Sequence, residues 1–278
     1  MNTPKGMLEF ADHLADTGDF YRAITEYKRA LFYFPNYDKK EWIQFEIGKN
    51  YFMGGRMSQA KDWFIPLTAE QNRLGLLANN WLALTYFEAE EFVNSERLFS
   101  ELKDRKDRDV PASDYYLYIM MSRFYQKKFK EAFSDHQNLL TTMDKKKDIL
   151  LHKFLDQSRK PMQEAAQLDK KSTTIAVILG IILPGAGHLY LGEWDNALVS
   201  FLLVGSMGIL AYDGFARNSP VQAGIFTTLG TGFYAGSIYS AYRQTQKFNI
   251  YFGDVYIREV KSHFREFNIS ITQKLRFN

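Results

Sequence analysis

The sequence contains no cysteine among its 278 residues. That absence excludes disulfides, thiolate metal sites, a cysteine nucleophile and a lipid-modified N-terminal cysteine. Histidine is scarce as well: His13, His136, His152, His188 and His263 are scattered, with no H-x-x-x-H pair, so no metal site is expected. Catalytic signatures are missing. Gly205-Ser206-Met207-Gly208 falls short of a nucleophile elbow. Gly187-HLYL-Gly192 is followed by Glu193 where a phosphate-binding loop requires lysine. With no nucleophile, base or metal set, the expectation is a non-enzyme without cofactor. Charge of one sign is also lacking in the N-terminal half. Counting Lys and Arg against Asp and Glu gives −2 for residues 1–143 and +5 for residues 144–278. Nucleic-acid binders carry a clustered basic stripe, so no nucleic-acid partner is expected, whereas a basic excess in one half suits anionic lipid headgroups.

Charge disappears altogether over two stretches. From Ser172 to Gly192 the only side chain able to titrate near neutral pH is His188, and Asn196 to Tyr212 has none. About 20 apolar residues are what a helix needs to cross the hydrocarbon core. Between these stretches lies LPGAGHLYLG, residues 183–192. Proline has no N–H to donate and clashes with the preceding turn, and glycine loosens the backbone, so a helix must end or kink there. Pro184, Gly185, Gly187, His188, Tyr190 and Gly192 are therefore expected to form a membrane turn whose freed backbone groups are satisfied by neighbouring helices. His188, Glu193 and Asp195 either lie solvated at headgroup depth or serve the turn, with His188 capping its backbone. A third apolar stretch, residues 219–242, carries Gly224, Thr228, Gly232, Gly236 and Ser240 every fourth position. Such a small-residue stripe is expected to pack against another helix, the one bearing Gly205 and Gly208. Trp194, Tyr234, Tyr239 and Tyr242 sit toward the ends, where amphipathic rings favour headgroup depth.

Residues 7–140 repeat. Ala23, Ala60, Ser95 and Ala132 lie 37, 35 and 37 residues apart, each three positions after Phe20, Met57, Phe92 or Phe129. The first unit, FADHLADTGDFYRAITEYKRALFYFP, resembles a tetratricopeptide repeat through Ala11, Leu14, Gly18, Ala23, Tyr27, Ala30 and Pro35. The second keeps Gly48, Tyr51, Gly55, Ala60 and Phe64, and the third Ala83, Tyr86, Ser95 and Phe99. The fourth departs, with Arg123 and His136 at positions that ordinarily take large apolar residues. The resemblance implies paired helices stacked into an all-α solenoid. It also implies a concave groove lined by Trp42, Phe45, Lys49, Phe52, Asn80, Leu84, Phe87, Leu117 and Phe124. These aromatics are either groove or core. Leu8 and Asp12 stand where a carboxylate-gripping groove would need a cation and an asparagine, so an apolar peptide or helix is the expected protein partner.

Four regions follow: a repeat domain over 1–143, a charged amphipathic connector over 144–171, a helical membrane domain over 172–247, and a C-terminal amphipathic helix and tail over 248–278. Leu150, Leu151, Phe154 and Leu155 recur at helical spacing, so the connector either caps the last repeat or lies along the membrane surface, with Pro161 starting a helix. Tyr256, Ile257, Val260, Phe264 and Phe267 mark a helix that ends at the membrane or against the repeats. No assignment is made for Ile269, Ile271, Leu275 and Phe277.

The segments KKS, PGAGHLYLG, EWDNAL and YAGSIYSAYRQTQKFN, spanning residues 170–249, resemble the membrane segment of uncharacterised bacterial repeat-plus-membrane proteins. Gly187, His188, Tyr190, Leu191, Gly192 and Asp213 further resemble the small two-transmembrane hairpin domain, with Pro184, Leu189 in place of a basic residue, and the third apolar stretch as departures. That resemblance implies membrane embedding and no activity. The expected protein is a membrane-anchored scaffold or adaptor of the bacterial inner membrane, its groove recruiting a partner, with envelope biogenesis as the setting and a homo-oligomer as an option. The alternative is a transport or channel component in which the helix broken at Pro184 lines a path through His188 and Gln222. Met1 to Phe10 lacks the apolar run of a signal peptide. The repeats are thus expected to be cytoplasmic as the sequence stands, and periplasmic if a signal has been removed.

Overall fold

A computed structural model describes residues 3–105, 111–143 and 148–277, with side chains up to residue 268. Every element among the described residues is an α-helix. Their order is α1 Pro4–Asp16, α2 Phe20–Tyr33, α3 Lys40–Met53, α4 Met57–Leu67, α5 Arg73–Glu88, α6 Phe92–Lys103, α7 Ala112–Tyr125, α8 Phe129–Thr142 and α9 Ile149–Ala166. Then come α10 Thr173–Ile182, α11 Ala186–Leu191, α12 Trp194–Ala216, α13 Pro220–Tyr251 and α14 Asp254–Phe277. Two compact units result. One holds residues 1–167 together with 255–278, the other residues 168–254. The divisions therefore fall after Gln167 and Asp254, where the sequence suggested a membrane domain beginning after 171 and ending at 247. The charged connector belongs to the repeats, and so does the C-terminal helix.

In the first unit each helix from α1 to α9 packs on its chain neighbours, and α3 also touches α5. The helices begin for local reasons. Thr3 caps α1 by accepting from the Gly6 N–H with Pro4 in the first turn, and Asn72 caps α5 by accepting from the Gly75 N–H at 3.1 Å. Gly75 is obligatory there, since a Cβ would lie 1.9 Å from the Glu70 carbonyl oxygen. The period appears in the backbone too. Gly18, Gly55, Glu90 and Lys127 all have positive φ, and they are spaced as the four small residues are. After each, the following N–H returns to a carbonyl five residues back: Asp19 to Leu14, Arg56 to Tyr51, Glu91 to Tyr86 and Lys128 to Arg123, at 2.8–3.0 Å. These are four copies of one helix-ending motif. Five residues on, Ala23, Ala60, Ser95 and Ala132 are fully buried, where only a small side chain lets successive helices meet.

The two odd residues of the fourth unit have explanations. Arg123 bridges Glu96 and Asp135, both at 2.8 Å, and Glu96 also accepts from Lys128 at 2.8 Å. A half-buried guanidinium with two carboxylate partners satisfies its donors while its stem packs. His136 is fully buried and its Nε2–H donates to the Leu155 carbonyl at 2.7 Å. Burial holds the imidazole below its ordinary pKa, so it is neutral and ties α8 to α9. The connector thus covers the last pair, with Leu151, Phe154 and Leu155 buried. Pro161 does not begin a helix; it lies buried inside α9 between Ser158 and Met162, so packing on both sides offsets the backbone hydrogen bond it removes.

The second unit is a helical hairpin, α12 against α13, with α10 and the short α11 packed on α13. Gly214 sits at the hairpin's closed end, where a Cβ would come within 2.6 Å of the Ala223 nitrogen. Asp213 accepts there from Arg217 Nε at 2.8 Å and from Gln222 Nε2 at 3.2 Å.

Candidate functional site

Two features could carry function, one in each unit. In the second unit Ser172 caps α10 by accepting from the Ile175 N–H, and the helix stops at Leu183 because Pro184 follows. Gly185 then takes φ of 88° with its α-carbon so close to α12 that a Cβ would lie 2.3 Å from the Ala197 carbonyl oxygen. Gly187 approaches α10 and α13 as closely, its notional Cβ 2.5 Å from the Ala176 oxygen and 2.7 Å from the Ala241 Cβ. The turn's backbone is satisfied from within. His188 and Leu189 donate their N–H groups to Gly185, and Gly192, at φ of 81°, closes the turn with Glu193 N–H returning to His188. The Ile181 carbonyl, orphaned at the end of α10, accepts from the Tyr234 hydroxyl.

His188 is buried at 1% exposure and its Nδ1–H donates to the Glu193 carboxylate at 3.0 Å, which Asn196 Nδ2 also reaches at 3.0 Å. A solvated histidine is thereby ruled out, and the orphaned Ile181 carbonyl is met by Tyr234 instead of His188. Tyr190 takes the Ser172 N–H on its hydroxyl at 3.0 Å and the Lys171 ammonium over its ring. A clamp lies beside it: Lys171 N–H donates to Asn249 Oδ1 at 3.0 Å, and Asn249 Nδ2 donates to the Lys171 carbonyl at 2.8 Å. Residues 78 apart at the two ends of the unit are thus held side by side. Only the partner amide and carbonyl of this pair, and no sequence spacing, could have announced it.

The stripe does not pack. Gly224, Thr228, Gly232 and Gly236 are exposed, Ser240 is half-buried, and nothing lies within 4 Å of a Cβ built on the three glycines or on Gly205 and Gly208. The face of α13 that meets its neighbours carries Ala223, Ser237, Ala241 and Thr245. Close approach is made instead by Gly180 to Ile238, Gly187 to Ala241 and Gly230 to Met207. The stripe's spacing picks out a face of α13, but bulkier neighbours decide which face is covered.

In the first unit the nine groove residues divide. Trp42 is 45% exposed, and Lys49, Phe52 and Leu84 are half-buried. Phe45, Asn80, Phe87, Leu117 and Phe124 are buried, which corrects their placement on an open surface. Phe45 is core: its ring packs on Phe64 at 5.8 Å and Trp81 at 6.4 Å. Phe124 packs on Phe129, and Asn80 accepts from the buried Tyr115 hydroxyl at 2.9 Å. Phe87 packs on Phe92, Tyr118 and Tyr125 at 5.0–5.8 Å and is reached by the C-terminal helix as well. The ring of Phe264 from α14 meets it at 5.7 Å, meets Tyr118 at 6.1 Å and meets Phe154 of α9 at 5.5 Å, while Phe267 also packs on Phe154. Val260, Phe264 and Phe267 are all buried. Lys261 pairs with Glu90 at 2.7 Å and Glu266 with Lys153 at 3.7 Å. The C-terminal helix therefore occupies one part of the repeat unit's surface; elsewhere Trp42 is exposed, and Phe52 and Trp81, edge-on to each other at 5.2 Å, are half-buried. The amphipathic pattern of α14 was readable; Tyr118 and Phe154 as its seat were not. Ile269, Ile271, Leu275 and Phe277 lie beyond the described side chains.

Among the described residues no group of histidines and carboxylates is arranged to hold a metal ion. A comparison of the chain with protein-family models and with curated proteins finds no match.

Proposed function

We propose that the protein is a membrane-anchored scaffold, a tetratricopeptide-like solenoid that recruits a protein partner and is fixed to the bilayer by the unit of residues 168–254. The observation that carries the anchor is α12. It is a 23-residue helix whose most apolar 18-residue stretch has a mean hydropathy of 1.7, and almost none of that stretch is covered inside its own unit. At 1.5 Å per residue it spans about 34 Å, against a hydrocarbon core of about 30 Å. Leu198, Val199, Phe201, Leu202, Ile209 and Phe215 lie bare along it, and Ile178, Ile181 and Ile182 along α10. So large a contiguous apolar surface on a folded unit marks a face that meets something other than water. Lipid fits it, because the polar groups are spent: His188 on Glu193, Gln222 on Asp213 and the Leu210 carbonyl. Those are the two groups a transport path would use, so the anchor reading is favoured over the channel one.

Among the described residues α12 is the one helix long and apolar enough to cross by itself; the clamp between Lys171 and Asn249 supports an even number of crossings, with α13 returning against α12 and the α10–α11 turn dipping in and returning. The fourfold helix-ending motif supports the solenoid, and the seating of one amphipathic helix on aromatic side chains supports helix recognition by it. The bacterial inner membrane follows the sequence resemblance, and envelope biogenesis is the setting proposed for the scaffold.

Partner capture tests the scaffold. Tagged protein purified from its native membrane in mild detergent should bring down a protein that the double variant Trp42→Ser, Phe52→Ser loses, with circular dichroism unchanged. The same co-purifying set from both would remove Trp42 and Phe52 as the recruiting surface.

A further inference from the structure

The seat of α14 is poorly filled for a permanent contact. A solvent-open pocket of about 360 Å³ runs along one edge of the contact between α14 and the repeats, floored by Phe87, Phe92, Tyr125 and Phe264 and edged by Arg258 and Arg265. The Nδ1 of His263, on the same helix, is buried with no hydrogen-bond partner. Apolar rings that face a solvent-open pocket have surface still to bury, and an orphaned buried nitrogen keeps its desolvation cost. Yet the contacts that exist are specific: three apolar side chains at positions 260, 264 and 267, one ammonium on Glu90, and Glu88 beside it at the pocket wall. A surface that holds a helix this way is able to hold a better-fitting one.

We propose that α14 is a built-in competitor: the surface formed by Phe87, Tyr118 and Phe154 receives an amphipathic helix of a partner protein, and α14 fills it until that helix displaces it. This rests on the scaffold reading and names the partner's chemistry. The incoming helix carries large apolar residues at i, i+4 and i+7, as Val260, Phe264 and Phe267 do, and a basic residue at i+1 facing Glu90 and Glu88. A longer apolar side chain at i+4 would enter the pocket that Phe264 leaves open.

The test uses the full chain in detergent and a fluorescein-labelled peptide of residues 254–268 as the probe, read by anisotropy. The variant Phe264→Ala, Phe267→Ala, whose own helix is weakened, should bind the peptide at least tenfold more tightly than the unaltered chain. Adding Phe154→Ala to that variant should abolish the gain. The absence of native cysteine permits a second arm, in which Glu90→Cys and Lys261→Cys are joined by a short bis-maleimide linker that fixes α14 in place. The linked protein should bind no peptide. Equal binding by the unaltered and weakened chains, binding by the linked chain, or no binding by a weakened chain that retains its circular dichroism would each overturn the proposal. A dimer of the unaltered chain that linking abolishes would give the seat to a second copy and overturn it too. Because the peptide stands in for the partner, exchange can fail while capture by Trp42 and Phe52 persists, and the two readings are judged separately.

Discussion

Gly187→Ala is expected to destabilise the residue 168–254 unit by about 3 kcal/mol, the upper end of what overpacking costs, while Gly232→Ala should stabilise it by about 0.5–1 kcal/mol. The opposite signs follow from what each new methyl meets. At position 187 it would lie 2.5 Å from a backbone carbonyl oxygen of α10 and 2.7 Å from a methyl of α13, and neither can move without parting the helices that hold the turn. Position 232 is a mid-helix site with nothing within 4 Å, so the substitution only removes backbone freedom from the unfolded chain. Thermal melting of the two variants in detergent, followed by circular dichroism, reads both. A destabilised Gly232→Ala would restore the stripe as a packing face.

The second large effect is in the repeats. Phe45→Ala should cost about 3–5 kcal/mol, because the ring is 3% exposed and the space it leaves is walled by Phe64 and Trp81. Trp42→Ala, three residues earlier on the same helix and 45% exposed, should cost less than about 1 kcal/mol. Urea unfolding of the full chain measures the difference. Equal losses would mean that Trp42 is part of the core, and would leave the recruiting surface without its exposed ring.

These pairs show where sequence periodicity stops. The repeat was legible because its marks are steric: Ala23, Ala60, Ser95 and Ala132 are small where helices touch, and all four are fully buried. The break at Pro184 was legible because the ring forbids continuation. The helical faces of α3 and α7 were harder. Phe45 and Trp42 are both aromatic and adjacent on the helix surface, and composition alone does not say which one a neighbouring helix covers. Phe87 shows the same limit more sharply, since beside Phe92, Tyr118 and Tyr125 part of its cover comes from Phe264, 177 residues later in the chain. Asn249 and Lys171 gave no pattern at all, for a side-chain amide that clamps a distant backbone needs no periodicity.

Membrane embedding with both ends on one face is tested most directly by single cysteines in sealed native vesicles. Gln167→Cys, Gln246→Cys and Ala216→Cys are otherwise free of competing thiols. A membrane-impermeant maleimide should label positions 167 and 246 from the same side, and position 216, at the closed end of the α12–α13 hairpin, only from the other. Labelling of 167 and 246 from opposite sides, or of all three alike, would contradict the account.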